Sequence, residues 1–297
     1  MAFSLDAAWP LVDSHLYLFD VAAGGIVNLT EDGLNEFPVN DTPRKPVHVD
    51  THPAWSPDGS ALVFARSTIP AEEDADSTTT IMRIGRAGGE PSEVLRVRPA
   101  KSFLISHPMH WLVDDTLLFA LGEHGIWQVG IAGQNPRLVV TGEVEGELPF
   151  PWISDVTPDG QLATVVAGRV EGQYVIPDTV DALLEIDSGE VTPITIEGES
   201  IHAVSFSPDG ATAVIRGSNT ETDDPSVLLM DVATGTRATL MPRPLPDNPS
   251  ANRGFEWNPT GMIHLTWFST VQWTENDVIF GFTERGAAVL LELERVE

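Results

Sequence analysis

The sequence predicts an all-β protein. It should be a β-propeller of four-stranded antiparallel blades, about six of them with the first incomplete, spanning residues 1–297 as one domain. Three observations predict it. A turn-centred motif recurs at a near-constant interval, each copy is followed by strand-like runs joined at tight turns, and helical periodicity appears nowhere over a useful length.

The motif is Trp55-Ser-Pro-Asp-Gly59, with copies at Val156-Thr-Pro-Asp-Gly160 and Phe206-Ser-Pro-Asp-Gly210. A weaker copy is Trp257-Asn-Pro-Thr-Gly261, and Trp111-Leu-Val-Asp-Asp115 is a degenerate one without Pro or Gly. The leading positions are 56, 45, 50 and 51 residues apart, a period that suits a four-stranded blade and exceeds most helical repeats. Proline presets φ at the first corner, aspartate accepts from nearby backbone N–H groups, and glycine takes the left-handed conformation that closes the hairpin. Asp58, Asp159 and Asp209 are therefore turn-formers, not catalytic acids, and the preceding aromatic is expected to fill the space between neighbouring blades.

Taken in order, residues 1–30 form the partial blade. Complete blades are expected at about 50–95, 107–141, 152–195, 202–240 and 253–294. Second strands are expected at Leu62–Phe64, Leu117–Phe119, Ala163–Val166, Ala213–Ile215 and Met262–Leu265. Tight glycine turns close later strands at Gly24-Gly25 and Gly235. Met1-Ala-Phe3-Ser4 matches a second strand, so the first blade is expected to lack its innermost strand. The natural chain is then expected to extend upstream, where any secretion or lipoprotein signal would lie. The alternative is a propeller closed without that strand, leaving an unpaired inner edge.

The Trp-Ser-Pro-Asp-Gly turn, with an apolar strand starting soon after it, resembles the propeller repeat of the TolB family over nearly the whole chain. That resemblance implies the fold and an interaction role, since the family's best-known member serves the Tol–Pal envelope system. Related repeats form the propeller that gates prolyl oligopeptidase-type proteases. A periplasmic, cell-surface or secreted location is implied if an upstream signal exists.

Composition narrows the partners. With 44 acidic and 16 basic residues the formal net charge is −28, which repels nucleic-acid backbones. No run of about 18 apolar residues is present to span a membrane as a helix. With no cysteine, disulfides and thiolate chemistry are excluded.

Connections between second and third strands and between blades share one end of each blade and are long: Ser67–Thr79, Arg169–Val180, Glu31–Val49, Arg96–Ser106 and Met241–Asn252. Long loops on a rigid scaffold carry binding. Arg44, Lys45, Arg96, Arg98, Lys101, Arg243 and Arg253, seven of the sixteen basic residues, fall in blade-to-blade connections. Arg66, Arg169 and Arg216 lie where second strands run toward the same face. The expected partner is a protein segment or small anionic ligand. The other reading of these cations is local neutralisation of acidic loops such as Glu72-Glu-Asp74.

Four residues before each anchor stand Thr51, His107, Trp152, His202 and Arg253, which should start the innermost strands at the channel mouth. His52 is one residue off, followed by Pro53 as His107 is by Pro108. Of these, His107, Trp152, His202 and Arg253 join the basic residues as expected ligand contacts. No catalytic residue, cofactor or resident metal is assigned. A second reading keeps a metal-assisted lyase or hydrolase using His107, His202 and Arg253, similar to propeller lyases that act on acidic sugars. A third is a gating propeller severed from an oligopeptidase, although no Gly-x-Ser-x-Gly elbow is present.

Overall fold

A computed structural model describes residues 2–6, 14–20, 24–31, 47–70, 78–97, 109–121, 125–141, 152–171, 174–222, 225–239, 268–273, 278–283 and 288–292. Every regular element among them is a strand. The chain divides into two compact units, Met1–Ile153 and Ser154–Glu297.

In the first unit, β1 (Ala2–Asp6), β2 (Ser14–Phe19) and β3 (Ile26–Asn28) form an antiparallel meander. β4 (Val47–Trp55), β5 (Ala61–Ile69), β6 (Thr78–Gly85) and β7 (Ser92–Val97) form the next meander, which touches β2 through one parallel pair, Ser14 with Val49. A further four-stranded meander contains β8 (His110–Trp111), β9 (Thr116–Ala120), β10 (Ile126–Gly130) and β11 (Arg137–Val140).

The second unit has two four-stranded antiparallel sheets. One runs β12 (Trp152–Val156), β13 (Leu162–Glu171), β14 (Tyr174–Glu185), β15 (Val191–Pro193). The other runs β16 (Glu199–Phe206), β17 (Thr212–Asn219), β18 (Pro225–Asp231), β19 (Arg237–Thr239). A three-stranded sheet follows, of β20 (Phe268–Trp273), β21 (Val278–Thr283) and β22 (Ala288–Glu292).

Apolar cores lie between successive sheets. Val63, Ala65 and Ile81 pack with Met109, Leu117, Phe119 and Val129, while Leu16 and Leu29 pack with Leu62, Phe64 and Ile84. Burying side chains of this size contributes about 1.5–3 kcal/mol each, and that holds sheet on sheet.

The anchors depart from expectation in degree. Phe206 is buried in the core of its own unit. Trp55 and Trp111 are only half-buried at the edges of their clusters. Guanidinium groups cover both indoles, Arg86 at 6.0 Å from the Trp55 ring and Arg83 at 5.6 Å from the Trp111 ring. An indole is too long to hide wholly in the gap, and the Trp111 Nε1–H reaches out to donate to Asp115 at 3.3 Å. Trp257 and the run Met262–Leu265 lie outside the described residues.

Two boundaries differ as well. The stretch Arg169–Val180 is not a loop. β13 and β14 continue through it as a paired hairpin as far as Glu171 with Tyr174, because Val170, Val175 and Ile176 favour extended backbone. Nor do Thr51 and His202 begin their strands, since β4 starts at Val47 and β16 at Glu199.

Candidate ligand-binding face

Two of the described blades, β4–β7 and β16–β19, have two chemically distinct ends. At one end stand the repeated turns. Ser56 Oγ donates to Asp58 Oδ1 at 2.6 Å and accepts from the Ala61 N–H at 3.0 Å, while the Ser60 N–H donates to Asp58 Oδ1 at 3.0 Å. Thr157 with Asp159 and Ser207 with Asp209 repeat the arrangement. The Ser56 hydroxyl first, and then Ser60, hold the Asp58 carboxyl down at about 2. Asp231, in a related turn closing β18 on β19, is lowered chiefly by the Thr234 hydroxyl. In the degenerate copy Asp114 accepts from the Thr116 N–H, and Asp115 takes the left-handed conformation (φ 59°) that glycine takes elsewhere. These carboxylates are committed to closing turns.

At the other end the blades turn polar abruptly. β5 is apolar from Ala61 to Ala65 and then reads Arg66-Ser67-Thr68, while its partner β6 reads Thr78-Thr79-Thr80 before Ile81. The ladder pairs Arg66 with Thr80 and Ser67 with Thr79, directly above the apolar pair Ala65 with Ile81. β17 and β18 switch at the corresponding place: Ile215 pairs with Leu228, whereas Gly217 pairs with Ser226 and Ser218 with Pro225.

The polar ends are buried and bonded. Asp50, with no exposure, accepts from Arg66 Nε and Nη2, both at 2.7 Å, a bidentate pair. Ser67 and Thr79 hydroxyls lie 3.3 Å apart, His48 Nδ1 is 3.1 Å from Thr68 Oγ1, and Ser226 donates to Glu199 at 2.7 Å. The partnering of Arg66 by Asp50 had no signal in the sequence, because it depends on strand register across sixteen residues.

Both described histidine positions in the predicted ring fall on β-bulges. In β4, Thr51 pairs with Ala65 and Ala54 with Val63, so His52 and Pro53 together oppose Phe64. In β16, Ile201 pairs with Gly217 and Ala203 with Arg216, leaving His202 as the extra residue. Trp152 is the first residue of β12. Arg96 is exposed near the end of the outermost strand β7, and its guanidinium is ion-paired with Glu93. Arg44, Lys45, Arg98, Lys101, His107, Arg243 and Arg253 lie outside the described residues. No group of three or more metal-ligating side chains occurs among the described residues.

Two buried groups escaped the sequence reading. His110, just before the Trp111 anchor, has its Nε2 shut away from solvent with no hydrogen-bond partner among the described residues, and burial pushes its pKa down to about 4. Asp155, in the same place before Val156, has its carboxyl raised by burial despite accepting from the Phe206 N–H at 2.8 Å and the Val156 N–H at 2.9 Å. It ties β12 to β16.

No family model matches the sequence, and no curated protein matches it. Solved structures do. TolB from Acinetobacter baumannii superposes at a TM-score of 0.55 with 14% identity, covering 97% of this chain and 62% of that one. An oligogalacturonate lyase in complex with manganese gives 0.59 with 17% identity, covering 93% and 70%. A putative TolB from Agrobacterium tumefaciens gives 0.52 with 16% identity, covering 95% and 89%. The fold is a β-propeller. The chain spans under two thirds of the length of the Acinetobacter TolB. No helix among the described residues is long and apolar enough to cross a membrane.

Proposed function

We propose that this propeller is a non-enzymatic interaction module that takes a protein segment or a small anionic ligand at the loop-rich ends of its blades. The observation that supports this most is the switch from apolar to polar at one ladder position in two blades, Arg66-Ser67 against Thr79-Thr80 and Gly217-Ser218 against Ser226-Pro225. Burying hydroxyls and an ion pair there costs stability that an all-apolar blade would not lose, so the polarity serves contact rather than packing. Arg44, Lys45, Arg98, Lys101, Arg243 and Arg253, with His107, Trp152 and His202, supply the contacts, and Arg96 joins them on release from Glu93. An exported location, periplasmic or at the cell surface, accompanies this reading.

The test is calorimetric titration of digalacturonate and of a short polyglutamate peptide at low and high salt. Affinity should fall as salt rises, because exposed charges are screened within about 10 Å at 0.1 M. Replacing Lys45, Arg98 and Arg253 together by Glu should abolish binding with melting nearly unchanged. Salt-independent binding, or binding that survives the triple reversal, would refute the proposal.

A second reading is favoured by the likeness to the manganese-bound oligogalacturonate lyase. In it His107 and His202 hold a divalent metal and Arg253 meets a sugar carboxylate. Manganese-dependent cleavage of oligogalacturonate, lost in His107→Ala and in His202→Ala, would establish it. Absence of turnover with manganese supplied would remove it.

A further inference from the structure

Each of the two compact units is strongly acidic by itself. Residues 1–153 carry 21 acidic and 9 basic side chains, a formal net charge of −12, and residues 154–297 carry 23 and 7, a net of −16. A small domain ordinarily carries a net charge of about 2–8 in magnitude. Repulsion within a unit grows as the square of its net charge, so both lie well beyond that range.

Several guanidinium groups are directed elsewhere than at the exposed carboxylates. Arg66 is turned inward on the buried Asp50, and Arg83 and Arg86 lie over the Trp111 and Trp55 rings. Arg237 donates to the Thr195 carbonyl, while Arg96 does meet an exposed carboxylate, that of Glu93. The acids face water. Glu185, Asp187 and Glu190 are all exposed in the single turn from β14 to β15, and Glu197 and Glu221 are exposed in the same unit.

Folding gathers these charges. A chain of about 150 residues contracts from a radius of gyration of about 40 Å to about 15 Å. In 0.01 M salt the screening length is about 30 Å, so charges across a whole folded unit repel one another, while the open chain holds most pairs farther apart. At 0.1 M that length is about 10 Å and at 1 M about 3 Å, which confines repulsion to near neighbours. A fold is only marginally stable, so a term of this kind decides whether it forms.

From this charge balance we infer that the fold is gated by ionic strength: each unit holds its native sheets in concentrated salt and loosens when the salt is diluted. The cations act by screening and not at a site, so sodium and potassium are equivalent. The inference stands apart from the proposed binding role.

The experiment melts the full chain by circular dichroism in 0.01, 0.1 and 1 M KCl, and again in NaCl. The expected melting temperature is at least about 8 °C higher in 1 M than in 0.01 M salt, with at least about a third of the rise below 0.1 M. A chain already unfolded in 0.01 M and folded in 1 M meets the same expectation. Exclusion of salt from the surface, the competing cause, grows linearly with concentration and would put only about a tenth of the rise there. Glu190→Gln, Glu197→Gln and Glu221→Gln are then combined, since all three side chains are exposed. This variant should melt about 3 °C above the parent in 0.01 M salt and within about 1 °C of it in 1 M. A smaller rise for the parent, a rise linear in concentration, a difference between the two cations, or an equal shift of the variant at both salts overturns the inference. Circular dichroism at each salt used in the binding titrations separates loss of affinity from loss of fold, so either proposal can fail without the other.

Discussion

Acid should loosen this protein through His110, and the size of the effect follows from its burial. The residue as a whole is half-buried, but the ring nitrogen that would take up the proton has no solvent contact and no partner among the described residues. In the folded chain the group stays neutral down to about pH 4, against 6.5 for a free histidine. Between those values the unfolded chain binds a proton that the folded chain does not, so stability rises with pH across the window and is lost as pH falls from 6.5 toward 4. At pH 4.5 the loss relative to pH 7 is about 2.5 kcal/mol from this residue alone. His110→Leu removes the titrating group and the unpaired nitrogen together, so it should be as stable as the parent at pH 7, or more stable by up to about 1 kcal/mol. Urea unfolding at pH 7.0 and 4.5 reads both numbers. The parent should lose about 2.5 kcal/mol more than His110→Leu between the two pH values. Equal losses, or an imidazole resonance that titrates near 6.5 in the folded protein, would refute the reasoning.

Other expectations follow from single contacts. Asp50→Ala strands the Arg66 guanidinium in a buried site and should cost about 3–5 kcal/mol by urea unfolding. Asp115→Gly gives its left-handed position the residue that suits it, and melting should rise by the equivalent of about 1 kcal/mol, less what the Trp111 hydrogen bond contributes. The depressed Asp58 carboxyl stabilises the fold above its unfolded value near 3.8, and this is lost as pH falls through about 2. Asp58→Asn should therefore flatten the acid limb between pH 4 and 2 in a circular-dichroism titration.

What could be read from the chain was what its chemistry decides locally. The Ser/Thr-Pro-Asp-Gly turns close within seven residues of sequence, so their geometry follows from residue type, and the Asp114-Asp115 copy keeps the aspartate's bond to the N–H two residues on, with Asp115 in the left-handed place that glycine takes. The strands after the turns that follow Trp55, Trp111, Val156 and Phe206 were legible for the same reason. Hidden features depended on register or on neighbouring sheets. Asp50 meets Arg66 only because β4 and β5 pair at one offset, and packing alone shuts His110 Nε2 away from water and from any partner among the described residues. The hairpin over Arg169–Val180 was hidden differently. Its Gly, Gln, Pro and Asp read as a loop, whereas Val, Tyr and Ile carry the ladder through it. The left-handed backbone of His52 (φ 53°) has no signature at all, since histidine ranks among ordinary strand residues.

The polar ends of the blades bear on how such a chain can change over time. The repeated turns make their side-chain hydrogen bonds within themselves, as at Ser56 to Ala61. The apolar packing of this blade's β5–β6 ladder lies toward one end, between the turn and the last apolar pair, Ala65 with Ile81. Above that pair, lengthening a loop adds only a small closure entropy, about 0.6 kcal/mol per doubling. Surface chemistry at the polar end can drift toward new ligands while the folding problem stays solved at the other. A blade built this way separates what selection must hold fixed from what it is free to explore.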